Sequence, residues 1–381
     1  MNLEPVTADD PRDILRALRV TLNGAGPALG LGLVGGLPGE VREGTAAVVT
    51  TSGSTGMPKS VVLSRDALIA SARATADRIG DGAWLLALPT SYVAGLQVLV
   101  RSIVSDREPA ILSGSFTPQA FADAALMMSS SAGVPTFTSL VPAQLSKLLD
   151  AAEHDAAVVT ALRSFERILV GGQALAAATL ERAEAAGARI TRTYGSTETS
   201  GGCVYDGVPL RGVSMRIQGG EVQLAGPTLA DGYLGVPELT DAVFVRDPDG
   251  TRWYRTGDAG IIDDDRLRVR GRIDNVIVSG GVNISLDRVE QIVRGVPGLA
   301  GAVVVGVPDV RWGEASVIVA VRGEALRRSE SVQLEEARAA VAAEVGSHAR
   351  PSRMVLVDDL AVLPSGKPDR EAIGRAVAAL H

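Results

Sequence analysis

Cysteine is almost missing from this chain: Cys203 is the only one in 381 residues. No intrachain disulfide can form and no cysteine cluster can hold a metal, a usage that fits a reducing cytoplasm. Histidine is nearly as scarce. His154, His348 and His381 are scattered, with no zinc pair and no HExxH. There is no GxSxG elbow either, so a serine hydrolase is unsupported. Lacking a histidine base or an activated nucleophile, the chain points to a reaction whose substrate is already the nucleophile. Long apolar runs are absent too. Three charge-free windows exist, Val20–Gly39, Ala83–Val100 and Ala124–Ser146, but glycine, proline or serine interrupts each of them. A spanning helix needs about 20 continuous apolar residues, so no membrane segment is expected. The stretch Met1–Asp13 is polar and acidic, unlike a signal peptide. The net charge of −7 argues against general binding of nucleic acid or anionic membrane. Lysine is the last rarity: of 37 basic residues only Lys59, Lys147 and Lys367 are lysines. Where arginine is the default, a retained lysine marks a place that wants a compact, movable ammonium.

What is present is ordinary for a globular chain, with 46% apolar and 21% charged residues. At roughly 150 residues per domain the length suggests two or three domains. Strands and helices alternate. Ala46–Thr50 is a short β-branched run, followed after a loop by a helix with Ser64 as N-cap and Leu68, Ala72, Ala76 and Ile79 on one face. Trp84–Leu88, Phe165–Val170 and Arg189–Tyr194 read as strands, and an alanine-rich helix stops at Gly187. From Val213 to Ile262 short alternating runs predict an antiparallel segment. Beyond Gly271 the strands Val276–Val278, Ala302–Val307 and Ser316–Val321 precede a helix marked by Leu334, Ala337, Val341 and Val345. A boundary near Arg272–Asn275 divides an α/β domain, 1–272, with mixed sheets and an antiparallel β segment, from a small α+β domain, 273–381.

Five hydroxyls, two glycines and a lysine crowd the ten residues Thr50-Thr51-Ser52-Gly53-Ser54-Thr55-Gly56-Met57-Pro58-Lys59. Directly after a strand, that loop offers donors suited to phosphate oxygens. Pro58 stands where a Walker A loop needs its second glycine, so it is not one. Gly30-Leu31-Gly32-Leu33-Val34-Gly35 matches the dinucleotide pattern only formally, because Pro38 spoils the helix that should follow. Tyr194-Gly195-Ser196-Thr197-Glu198-Thr199 ends a strand, where open α/β sheets place ligands; Glu198 reads equally as a Mg²⁺ ligand or a helix cap. Asp258, in Tyr254-Arg255-Thr256-Gly257-Asp258, reads as a ribose clamp or as a turn residue. Arg266, Arg268, Arg270 and Arg272 share one strand face, and Asp263-Asp264-Asp265 is the turn before it.

Taken in order, the hydroxyl loop, YGSTE, YRTGD, Gly271-Arg272-Ile273-Asp274-Asn275 with Ser279-Gly280-Gly281, and Leu363-Pro364-Ser365-Gly366-Lys367-Pro368-Asp369-Arg370 resemble the adenylate-forming acyl/aryl-CoA synthetases. The likeness runs from about Ala46 to the C-terminus. Ser139-Leu140-Val141-Pro142-Ala143-Gln144-Leu145 and Gly201–Leu210 look like the o-succinylbenzoate–CoA ligases of the menaquinone pathway, in particular compact actinobacterial ones.

The resemblance implies the following roles. Thr51, Ser52, Gly53, Ser54, Thr55, Gly56 and Lys59 would cover the ATP β- and γ-phosphates. Thr197 would touch the α-phosphate, and Glu198 would hold Mg²⁺. Gly171, Gly172 and Gln173, with Tyr194, Gly195 and Ser196, would border adenine and the acyl group. Asp258 and Arg272 would bind the ribose. Lys367 would reach from the small domain to the attacking carboxylate and the α-phosphate. Tyr92, Gly95 and Ser139 would flank the acyl pocket together with Gly172 and Gly195. Gly280 and Gly281 would line the path of CoA, and the small domain would turn about Asp274. Expected partners are therefore ATP, Mg²⁺, CoA and o-succinylbenzoate, with room left for a homodimer. Ser60, Tyr92 and Arg211 depart from the family pattern, where glycine, histidine and aspartate are usual. Only about 50 residues precede the phosphate loop, which implies an abridged N-terminal part. A ligase for another carboxylic acid, a phosphate-loop kinase or NTPase, and a non-catalytic adenylate binder remain alternatives at this level.

Overall fold

The computed structural model describes residues 1–6, 10–32, 38–51, 58–112, 114–129, 133–322, 329–363 and 367–380. Ser52, Gly53, Ser54, Thr55 and Gly56 of the hydroxyl loop lie outside the described residues, as do Pro364, Ser365 and Gly366 before Lys367.

Among these residues the chain forms a mixed α/β fold around four sheets. The central one has seven strands, in the order Val208–Pro209, Gly201–Tyr205, Ile190–Ser196, Arg167–Val170, Thr136–Leu140, Ala83–Leu86, Ala110–Ile111. Its last five strands run parallel and the other two antiparallel. Parallel strands are covered on both faces, and the side chains divide accordingly. Trp84, Leu86, Phe137 and Leu169 point into one core, while Leu85, Leu140, Ile168 and Val170 point into another. The first core packs under the helices Arg65–Ile79 and Val93–Val104; the second packs under Pro118–Ser129, Pro142–Ala152 and Ala156–Ser164.

The helix Arg65–Ile79 starts where Ser64 accepts the Ala67 N–H, as its sequence predicts. The helix Val93–Val104 is not marked by any amphipathic pattern in the sequence. Its apolar residues run almost all the way round, because it is buried on nearly every side. The strand before it is Ala83–Leu86, shorter than the Trp84–Leu88 expected, since the chain already turns ahead of Pro89.

Two further sheets complete this part of the chain. One orders Leu3–Pro5, Ala28–Leu31, Thr45–Thr51, Lys59–Ser64 and Gly232–Tyr233. Gly30 lies inside a strand here, whereas a dinucleotide loop would have it after one. The other is antiparallel, built from Ser214–Gln218, Glu221–Ala225, Arg252–Asp263 and Phe244–Arg246, with Arg266–Arg272 paired to the long strand.

The fourth sheet, Val282–Ser285, Val276–Ser279, Gly313–Val321, Val303–Asp309 and Arg353–Val357, has its own two cores. Val303, Val305 and Val307 face the helix Arg370–Ala378, while Val304, Ile318 and Ala320 face the helices Leu286–Val293 and Glu330–Glu344. Gly280 and Gly281 form the turn between its first two strands. Among the described residues no helix is long and apolar enough to cross a membrane.

Candidate active site

Carboxyl ends of parallel strands collect ligands because the following loops and helix starts converge there. Here the strand Arg167–Val170 delivers Gly171, Gly172 and Gln173, and the strand Ile190–Ser196 delivers Tyr194, Gly195 and Ser196. Only glycine fits at 195: its φ is +158° and a Cβ would lie 2.2 Å from the Gly201 carbonyl oxygen. The chain then makes one short turn, Thr197–Thr199. Thr199 Oγ1 accepts the Ser196 N–H at 2.9 Å and bonds the Gly201 carbonyl at 2.7 Å, so Thr199 does the local capping. Glu198 is left for other work. Its Oε1 accepts the Tyr233 hydroxyl at 2.9 Å. The Lys59 ammonium sits 5.8 Å over the same Tyr233 ring, which brings the end of the hydroxyl loop to Glu198. Thr51 is the last residue of its strand and bonds the Lys59 carbonyl at 3.4 Å.

The antiparallel hairpin supplies the opposite wall. Asp258 and Arg272 are cross-strand partners, with Arg272 Nη1 3.6 Å from Asp258 Oδ1. Tyr194 donates its hydroxyl to Asp258 Oδ2 at 2.6 Å. Burial pushes the Asp258 carboxyl above its ordinary range, opposed by the Tyr194 hydrogen bond and the Arg272 charge. Burial likewise raises the Tyr194 phenol, and the neighbouring Asp258 charge raises it further, so it remains a donor. Arg272 also grips Asp274 through two bonds of 2.9 Å.

Lys367 meets this wall from the far end of the chain. Its Cε lies 3.8 Å from where a Cβ on Gly172 would stand. Desolvation in the cleft lowers the ammonium pKa, while Glu198 and Asp258 pull it back up. The residue nevertheless remains exposed to solvent. The charges of two carboxylates thus act on one ammonium.

A second cation, which sequence reasoning missed, is Arg101. It lies on the helix Val93–Val104, only 6% exposed, and burial lowers its pKa. The guanidinium stacks 4.8 Å over Trp84 and is held loosely by Ser139 Oγ at 3.4 Å and the Tyr205 hydroxyl at 3.5 Å. Its Nε has no partner, and no carboxylate among the described residues pairs with it. A buried arginine without a counter-ion is costly unless a ligand supplies the charge. No local motif surrounds it; its one trace in the sequence is a charge closing an apolar run. Tyr92 precedes the same helix, and burial raises its phenol. Gly95 packs on the chain at Pro89, where a Cβ would come within 2.2 Å of the carbonyl oxygen.

Two observations stand apart from the cleft. Gly280 and Gly281 sit in an exposed turn, Gly280 beside Trp312. A cavity of about 250 Å³, walled by Thr75, Trp84, Arg101, Val104 and Arg211, opens at the strands' amino ends, opposite Lys367. Arg211 closes part of its rim by pairing with Asp77 at 3.1 Å.

The model of the AMP-binding enzyme family matches residues 36–262, and that of the AMP-binding enzyme C-terminal domain matches residues 288–367. The chain belongs to the AMP-binding enzymes. It is 39% identical over 380 residues to a probable 2-succinylbenzoate–CoA ligase of Mycobacterium tuberculosis, covering 96% of this chain and 95% of that one. It is 29% identical to the 2-succinylbenzoate–CoA ligase of Enterococcus faecalis, covering 85% of this chain and 68% of the other. Among solved structures, ATP-bound MatB from Rhodopseudomonas palustris superposes with a TM-score of 0.75 at 24% identity, over 90% of this chain and 70% of that one. The o-succinylbenzoate CoA synthetase of Bacillus subtilis, solved with its acyl-adenylate intermediate, gives 0.73 at 23% identity, over 94% and 80%. At these identities the structures speak for the fold.

Proposed function

We propose that the protein is an o-succinylbenzoate–CoA ligase that works as two bodies, residues 1–272 and 273–381, hinged at Asp274. It is an AMP-forming acid–thiol ligase. The observation that carries the chemistry is Lys367 lying against Gly172, within reach of the charges of Glu198 and Asp258. A substrate carboxylate attacks the α-phosphorus of ATP; a new O–P bond forms, the bond to pyrophosphate breaks, and an acyl-adenylate results. Both partners are anionic, so the barrier is electrostatic, and no base is needed because the acid is already ionised. Lys367 spans the attacking carboxylate and the α-phosphate, Lys59 draws off the pyrophosphate, and Thr197 donates to the α-phosphate. Asp258 accepts from the ribose hydroxyls beside Arg272, and Gly171, Gly172 and Gln173 border the adenine.

A lone carboxylate among hydroxyls and phosphates fits Mg²⁺, which takes few protein ligands; Glu198 would hold it, and its positive charge would offset that of the phosphates. In the second step the CoA sulfur attacks the acyl carbonyl, AMP leaves, and the thiol proton passes to solvent. Gly280 and Gly281 belong to that step, which is why they lie away from the cleft in the orientation described.

Arg101 supports the choice of acid. o-Succinylbenzoate has two carboxylates; one is activated, and the ring carboxylate, approaching from the Ser139 side and not from the cavity at the strands' amino ends, gives the buried guanidinium its missing counter-ion. The test is a panel of acids assayed for AMP release with and without CoA. o-Succinylbenzoate should be favoured at least tenfold over the same keto acid without its ring carboxylate, and Arg101→Met should abolish that preference. ADP as the product would overturn the adenylation reading; a preference untouched in Arg101→Met would overturn the acid.

A further inference from the structure

A turn at Asp274 carries every later residue with it, whereas Arg272 stays in the antiparallel sheet. A contact between Arg272 and a later residue can therefore exist in one orientation and not in another. Asp287 makes such a contact. It lies in the first turn of the helix Leu286–Val293. Its Oδ2 accepts the backbone N–H of Arg272 at 2.7 Å, and its Oδ1 accepts Asn275 Nδ2 at 2.6 Å. The same carboxylate stands 3.7 Å from Arg370 Nη2.

Arg370 is the second half of the connection. It grips Glu290 with both guanidinium nitrogens, at 2.7 and 2.8 Å, and the Val304 carbonyl at 3.0 Å. It follows Lys367 by three residues, and the bonds Leu363 N–Lys367 O at 2.8 Å and Asp369 N–Ala361 O at 2.9 Å fasten that segment. From Arg272 the path therefore runs through one carboxylate to the base of the Lys367 segment. The hinge strand is shaped to admit it. Gly271 has φ +132°, and a Cβ there would come within 2.6 Å of Asp287 Cβ. Any other residue would push the carboxylate off the Arg272 amide.

We propose that Asp287 is a positioning residue that latches the small body with Lys367 facing the cleft and lets go when that body turns. The bond to the Arg272 amide is the differential contact: it favours this orientation by whatever it is worth and contributes nothing to the other. The inference rests on the two-body reading given above. It adds a device that biases the first half-reaction over the second without touching substrate.

The orientation can be read directly. Cys203 is fully buried, so spin labels on Glu181→Cys and Val310→Cys, both exposed positions, report alone in the full chain. Asp287→Ala should move a large part of the interlabel distance distribution away from that of the parent, with Asp287→Asn between them. Gly271→Ala, which displaces the carboxylate from the other side, should act like Asp287→Ala and covers the case in which that variant folds poorly. In parallel, acid-dependent pyrophosphate exchange should fall at least tenfold in Asp287→Ala, while thioester formation from pre-formed acyl-adenylate stays within about twofold. An unchanged distance distribution, or equal loss in both half-reactions, overturns the latch. A parent without exchange on o-succinylbenzoate would instead overturn the choice of acid, and the distance measurement would still decide the latch.

Discussion

Lys367 shows how one rare residue type carries information. In a chain that writes nearly every cation as arginine, a lysine in a cleft has a property arginine lacks: desolvation can pull its pKa down far enough for it to give up its proton at working pH. That shift has a functional sign. Adenylation needs the ammonium form, so activity is lost as pH rises through the lowered pKa. Because the free enzyme sets kcat/KM, its alkaline limb should fall at a pH below the ordinary lysine value of about 10.4. Lys367→Arg should push that limb beyond the measurable range, even where the flat guanidinium lowers the rate itself. A pH profile with an unchanged limb in Lys367→Arg would assign the titration to another group. The stacked Arg101 is the contrasting case, a cation that stays charged because a guanidinium hardly deprotonates, and so suits a permanent anion site.

The short turn Thr197–Thr199 is where two readings of one motif part company. In sequence Glu198 serves equally as a cap or a metal ligand; in the structure Thr199 holds the Ser196 amide and the Gly201 carbonyl, and Glu198 faces Tyr233. Thr199→Val should therefore cost about 1–3 kcal/mol of stability in urea unfolding, because it removes the partner of the buried Gly201 carbonyl and of the half-buried Ser196 amide. Glu198→Gln should leave stability within about 0.5 kcal/mol and cut adenylation at least tenfold. The reverse pattern would return Glu198 to a capping role. This element also marks what was legible beforehand. Strands ending in glycine-hydroxyl runs, the Ser64 cap and the antiparallel segment are local patterns, and each stands within a few residues of its reading. The helix Val93–Val104 and its Arg101 are not local patterns. That helix is apolar on every side because two layers cover it, and its arginine means something only beside Trp84, Ser139 and Tyr205, residues scattered over the chain. Tyr233 is similar: nothing near it in sequence links it to Glu198 and Lys59.

At the scale of the whole molecule, the two-body reading has the chain present two sets of groups in turn to one substrate carboxyl group, first as its oxygen attacks phosphorus and then as its carbon is attacked by sulfur. The orientation described puts Lys367 in the cleft and leaves Gly280 and Gly281 on an exposed turn. On the reading proposed above, a molecule fixed in this state would make acyl-adenylate but keep Gly280 and Gly281, the residues proposed for the CoA path, away from it. Removing the lysine should therefore damage one step only. Lys367→Ala should slow ATP-dependent adenylation by at least about a hundredfold, the scale of losing one well-placed electrostatic donor. Supplied with pre-formed acyl-adenylate and CoA, the same variant should make thioester at nearly the parental rate, because on the proposed turn the small body carries the lysine off in that step. A bulky side chain at Gly281 should do the opposite, blocking thioester formation while sparing pyrophosphate exchange. These lesions differ from that at Asp287, which changes how often each orientation is visited and leaves the groups at both reacting centres in place. If Lys367→Ala slows both half-reactions equally, the lysine stays at the substrate carboxyl group throughout. A single fixed site would then account for the chemistry without a turn at Asp274.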